Sequence, residues 1–233
     1  MEYNLMQGNC LELMKNNISD NSIDLIVTDP PYKTITGGDS NGKSSIRPKG
    51  MLKGNRKLFR CQNIEISDWM PELYRVLKDD SILYIMCNNK NLRELLNVGE
   101  NTGFKFVKNL IWEKGNKICG KYYMGCYEYI SLFRKGHDKP INNCGTPDVL
   151  KVPIKKMKDF NGKNLHDTEK PVELMEILIK NSSKENDVVL DPFMGIGSTG
   201  IACKKLNRNF IGIEINEKYF EIAKKRMGSN KEW

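Results

Sequence analysis

At 233 residues the chain has room for one large domain or two small ones, and 39% apolar with 28% charged residues is enough to bury a core. No run of 18 apolar residues occurs, which excludes a membrane-spanning helix, and Met1-Glu2-Tyr3-Asn4 lacks the basic-then-apolar pattern of a signal peptide, so a cytoplasmic location is expected. Thirty-seven Lys and Arg against 29 acids leave a net charge of +8, which suits a polyanionic partner without specifying one.

In chain order, Leu5–Gln7 reads as a short strand and Cys10–Lys15 as the helix after it. Leu25–Thr28 is a second strand, and it stops at Asp29-Pro30-Pro31-Tyr32. Two prolines cannot continue a sheet, because each lacks a backbone N–H and has a fixed φ. In an open parallel sheet ligands sit beyond the carboxyl ends of strands, so Asp29 is a candidate acceptor there. Tyr32 would add a flat face beside it, a pairing that suits a planar ring bearing an exocyclic amine. Residues 33–66 follow, with eight basic residues between Lys33 and Arg60 opposed only by Asp39.

Helical spacing returns at Trp69–Leu77 and Leu92–Thr102, with strands at Ile82–Cys87, Leu110–Trp112 and Tyr129–Phe133. Residues 136–165 carry Pro140, Pro147, Pro153 and mixed charges, a second long loop. The pattern then resumes with a helix over Val172–Asn181, a strand over Val188–Leu190, a helix over Thr199–Leu206, a strand over Phe210–Glu214 and a helix over Lys218–Arg226. Strands alternating with helices imply an α/β domain with a largely parallel sheet of about seven strands. No repeat or linker divides the chain, so residues 1–233 read as one domain. Seven cysteines without a Cys-x-x-Cys pair argue against a disulfide framework and against a zinc module, so no metal is expected.

The second candidate site is Asp191-Pro192-Phe193-Met194-Gly195-Ile196-Gly197-Ser198-Thr199-Gly200, a glycine turn between a strand and a helix N-terminus. It formally matches the dinucleotide fingerprint, but Asp-Pro-Phe widens the turn and only 33 residues follow Gly200. A mononucleotide-sized ligand carrying an ammonium, which Asp191 could pair, fits better. Glu214 ends the next strand, where an acid can take both ribose hydroxyls.

Together these segments resemble the S-adenosylmethionine-dependent DNA amino methyltransferases, in the permuted (beta) group where Asp-Pro-Pro-Tyr precedes the cofactor motif. Gly8-Asn9-Cys10-Leu11-Glu12-Leu13 resembles the family's start, and His166-Asp167-Thr168-Glu169-Lys170-Pro171 its His-x-Thr-x-Lys-Pro segment. The resemblance covers nearly the whole chain except the two basic loops. It implies a three-layer α/β/α Rossmann-like methyltransferase fold, with a mostly parallel seven-stranded sheet. Tyr129–Phe133 would be its one antiparallel strand, and the last strand would lie beside the first.

Carried over by position, the resemblance implies that Asp29, Pro30, Pro31 and Tyr32 receive the target base. Asp191, Pro192, Phe193, Gly195, Gly197, Ser198 and Thr199 would line the cofactor, and Glu214 with Ile215 would meet its ribose. Asn9 and Cys10 would contact the cofactor adenine, His166, Thr168 and Lys170 would lie at its methionine end, and Asp29 would contact the cofactor as well as the base. The family commonly has Asp where this chain has Asn9, and many members have Pro at position 167. The implied reaction is methylation of a flipped base in DNA, with phosphate contacts from residues 33–66 and 136–165. Asp at the first motif position favours adenine N6; cytosine N4 is the nearest alternative. RNA or protein methylation and a non-catalytic nucleic-acid-binding module are the further ones. Relatives often dimerise, which makes a homodimer one possible assembly.

Overall fold

Strands and helices alternate along a computed structural model of the chain, which describes residues 1–31, 64–118, 122–155, 157, 162 and 168–228. The strands are β1 (Tyr3–Gln7), β2 (Ile23–Thr28), β3 (Leu77–Cys87), β4 (Lys105–Ile118), β5 (Gly125–Arg134), β6 (Val149–Lys151), β7 (Val188–Asp191) and β8 (Asn209–Glu214). They form one sheet in the order β1-β8-β7-β2-β3-β5-β4-β6. Only β5 runs against its neighbours, pairing antiparallel with both β3 and β4. The chain's ends meet as expected: β1 lies parallel to β8, from Tyr3 opposite Phe210 to Gln7 opposite Glu214.

Helices α1 (Cys10–Asn17), α2 (Ile66–Val76) and α3 (Leu92–Thr102) cover one face, and α4 (Val172–Ser182), α5 (Ser198–Lys205) and α6 (Glu217–Gly228) the other. Successive strand residues point to opposite faces, so each central strand feeds two cores. Leu25, Val27, Tyr84 and Met86 pack with Leu174, Leu178 and Ile201. Ile26, Leu83 and Ile85 pack with Met14, Trp69, Leu73 and Leu95. The fold is therefore the expected three-layer α/β/α sandwich. Among the described residues no helix is long and apolar enough to cross a membrane.

Three differences from the sequence expectation have local causes. The sheet has eight strands rather than seven. The extra one, β6, is three residues long between Pro147 and Pro153 and pairs parallel with Ile111–Glu113 of β4 at the sheet edge, where flanking prolines are tolerated. Helix α2 begins at Ile66 rather than Trp69, because Glu65 and Asp68 form a reciprocal capping box and leave Pro71 inside the helix. The hairpin of β4 and β5 is also longer than its apolar centres suggested. It extends past the other strands at the end where β2 and β7 stop, and carries exposed Tyr122, Tyr123 and Met124 near its tip.

The stretch from His137 to Thr146 lies at the opposite end of the sheet from Asp29. The His137 N–H donates to Asp80 Oδ1 (2.7 Å) near the start of β3, and Asn142 donates to carbonyls at the end of α4. Residues 149–155 run along β6 and on toward the candidate site.

Candidate active site

Strands β2 and β7 are neighbours, with Leu25 opposite Val189 and Ile26 opposite Leu190. Their two acid-proline turns, 162 residues apart from Asp29 to Asp191, therefore leave the sheet side by side. Thr28 joins them: its Oγ1 donates to Asp191 Oδ1 at 2.8 Å. Asp191 also accepts from Thr199 Oγ1 (2.6 Å) and from the Phe193 N–H (3.1 Å). With three internal donors and almost no exposure, this carboxylate holds the glycine turn in shape. Gly195 and Gly197 take left-handed φ values of 54° and 84° there, and Gly197 opens α5, with Ser198 and Thr199 in its first turn.

Burial pushes the Asp191 carboxyl up to about 6, against its three hydrogen bonds. A carboxyl raised in the folded state binds more protons folded than unfolded, so its contribution to stability falls as pH rises through about 4 to 6. Asp191→Asn removes that dependence. The wild type should lose on the order of 1–3 kcal/mol relative to the variant between pH 4 and pH 7. Denaturant unfolding at the two pH values checks this, and a constant difference would contradict it.

Glu214 closes β8 beside this turn. Its carboxylate accepts the N–H groups of Gly195 (2.9 Å) and Asn216 (2.7 Å), while burial raises its pKa. A small cleft lies against it, lined by Asn9, Cys10, Pro192, Phe193, Glu214 and Ile215 with Gly8, Ile64 and Ile213. Asn9, Cys10, Glu214 and Ile215, expected at the adenosine, thus share one cleft with Pro192 and Phe193, expected to line the cofactor. Asn9 caps α1, its Oδ1 accepting from the Leu11 N–H at 2.9 Å. Asn and Asp cap equally well, so Asn9 keeps the helix entry with a neutral side chain.

On the other side of Asp29 lies a cluster of four charges. Lys170 Nζ donates to Asp29 Oδ2 and stands 3.4 Å from Glu128 Oε2. Lys114 Nζ donates to Glu128 Oε1, and its ammonium is 5.1 Å from the centre of the Trp112 ring. The Trp112 Nε1–H donates to the Val152 carbonyl at 2.8 Å, which fixes the ring. Burial pulls the Lys170 pKa down, but Asp29 and Glu128 outweigh it, and the net shift is upward. The ammonium therefore stays charged. Cys87, at the end of β3, is pushed up to about 12 by burial and by Asp29, so it is an inert packed thiol.

The segment that supplies Lys170 is held from the opposite side. Glu169 accepts from the Met157 N–H (2.8 Å) and from Ser198 Oγ (3.4 Å), and pairs with Arg226 Nη1 at 3.1 Å. Consecutive residues of one segment thus face the two turns: Glu169 the glycine turn, Lys170 the proline turn. Pro30 is buried, Pro31 half-buried and Thr168 exposed; Tyr32 and His166 lie outside the described residues. Lys114, Glu128, Glu169 and Arg226 were not among the expected site residues.

A family model described as DNA methylase, covering N6 and N4 methyltransferases, matches residues 23–225. The chain belongs to the DNA amino methyltransferases. It is 34% identical to the Type II methyltransferase M.HpaI of Haemophilus parainfluenzae, over 98% of this chain and 75% of that one. The crystal structure of the M1.HpyAVI–SAM complex superposes with a TM-score of 0.71 at 27% identity, covering 96% of this chain and 99% of that one. The cytosine-N4-specific PvuII DNA methyltransferase superposes at 0.76 over 100% and 89%, but at 17% identity that likeness is one of fold. As in its family, the methyl donor of this methyltransferase is S-adenosylmethionine, and the site's own features fit that molecule. The cleft against Glu214 joins apolar walls to a carboxylate whose orientation is held by two backbone N–H groups.

Proposed function

We propose that this DNA amino methyltransferase acts on the exocyclic N6 of adenine, with Asp29 as the acceptor of the amine hydrogens. The observation that carries the reading is the Asp29 carboxylate at the end of β2, beside the turn that Asp191 holds. Asp rather than Ser at the first motif position supports adenine over cytosine. Asn9, Cys10, Phe193, Glu214 and Ile215 would hold the adenosine of S-adenosylmethionine; Asp191, Pro192, Gly195, Gly197, Ser198 and Thr199 would shape the turn against it. His166, Thr168 and Lys170 would stand toward its methionine end.

The cofactor supplies a methyl group already activated by the charge on its sulfur, so the protein's task is to present the amine. The N6 lone pair is delocalised into the ring. Hydrogen bonds from the amine to Asp29 and the Pro30 carbonyl favour its pyramidal form and offset the positive charge that develops on nitrogen. The rigid Pro30-Pro31 turn fixes both acceptors, and Tyr32 would stack on the base, so that positioning contributes much of the rate. The base must leave the duplex to reach this corner. Basic residues 33–66, the later part of the 136–165 loop, and the exposed tyrosines of the β4–β5 hairpin would meet the DNA at this end.

Mass analysis of nucleosides from DNA methylated by the purified chain tests the reading. N6-methyladenine is the expected product, and N4-methylcytosine in its place would overturn the choice of base.

A further inference from the structure

Among the described residues the cluster beside Asp29 contains an unusual arrangement. Glu128 is a strand residue of β5, mostly buried, and its two oxygens differ. Oε1 takes the Lys114 ammonium in a close hydrogen bond, while the buried Oε2 has only the longer ion-pair contact with the Lys170 ammonium, at 3.4 Å. A closer donor would stabilise a buried carboxylate oxygen held by so long a contact. Lys170 meanwhile makes its close contact with Asp29, the acceptor assigned to the incoming amine. One ammonium thus stands between two carboxylates, bonded to the one the reaction uses and within a short swing of the one it does not.

We propose that Glu128 is a positioning residue that takes Lys170 from Asp29 when the target amine enters. The inference rests on the reading of Asp29 given above. Lys170 bonded to Asp29 occupies an acceptor oxygen and neutralises the charge that should face the developing cation. Turning the ammonium toward Glu128 Oε2 shortens that contact and withdraws the ammonium from Asp29 Oδ2, the oxygen that would accept an amine hydrogen. The cluster holds two ammonium groups, Lys114 and Lys170, and two carboxylates, so its total charge is unchanged by the exchange. Lys114, resting near the Trp112 ring, keeps Glu128 from rotating away. A flexible four-carbon lysine stem permits the short movement without backbone change.

The test measures methyl transfer from tritiated S-adenosylmethionine to plasmid DNA, with calorimetric binding of S-adenosylmethionine in parallel. Glu128→Gln keeps the shape of the side chain but lacks the charge that attracts Lys170. It should lower kcat at least ten-fold while S-adenosylmethionine affinity stays within two-fold of wild type. Glu128→Asp, which retains a carboxylate, should recover part of that loss. The inference is overturned if Glu128→Gln keeps kcat within two-fold of wild type, or if cofactor binding falls along with activity, which would mark a structural brace. It is equally overturned if Glu128→Asp is no better than Glu128→Gln. Asp29→Ala, run beside these, separates the two claims. An active Asp29→Ala removes the reading of Asp29 itself, whereas an inactive one with a normal Glu128→Gln removes only the exchange.

Discussion

Asp29→Ala is expected to abolish methyl transfer while leaving S-adenosylmethionine binding measurable. The two halves of the site explain why the losses separate. The donor half is built from β7, β8 and the α1 entry, and the hydrogen bonds that shape it run through Asp191, Glu214 and Asn9. In the proposed reading Asp29, at the end of β2, is the charged group of the acceptor half, so removing it would take away the stabilisation of positive charge on the amine. Losing a single preorganised electrostatic contact of this kind costs roughly 10²–10³ in kcat. In the proposed reading the same carboxylate would also orient the base, so the loss should reach the upper end or beyond. The fold should survive. Lys170 loses its nearer partner but still has Glu128 3.4 Å away, so its charge is not stranded. Residual activity above about a tenth of wild type would show that another group receives the amine.

The sequence told a good deal about this arrangement, for a reason visible in particular residues. Leu25–Thr28 and Val188–Leu190 are apolar on both faces, as strands buried between two helical layers must be. Each ends in an acid and a proline, a pattern that marks a strand end without any knowledge of its neighbours. What the pattern could not say is that the two ends touch, which depends on β2 and β7 being paired. Strand β6 was hidden because three residues between prolines carry too little periodicity to be told from a loop. The cluster around Lys170 was hidden differently. Lys114 and Glu128 are charged residues on strands, ordinarily a sign of a solvated face. They become site residues only because the antiparallel register places Trp112 opposite Glu128, with Lys114 two residues on. Arg226 was obscured by its setting in Lys224-Lys225-Arg226, which reads as a solvated helix end. It is instead 2% exposed.

That burial underlies the second large effect: Arg226→Met should destabilise the chain by about 3–5 kcal/mol. The guanidinium donates to the Ile196 carbonyl at 2.7 Å and pairs with Glu169 at 3.1 Å, both deep between α6 and the glycine turn. Methionine fills much of the volume but removes a donor from the buried Ile196 carbonyl and leaves the buried Glu169 charge with only its bonds from the Met157 N–H and Ser198 Oγ. For a chain of this size such a loss lowers Tm by about 6–20 °C. Adding Glu169→Gln removes that buried charge, and the double variant should regain a large part of the stability. A double variant no more stable than Arg226→Met would mean that the lost bond to Ile196, not the ion pair, dominates. The effect should also reach the chemistry. Glu169 is the residue before Lys170, so the pair that ties α6 to the glycine turn also sets where the ammonium beside Asp29 can stand.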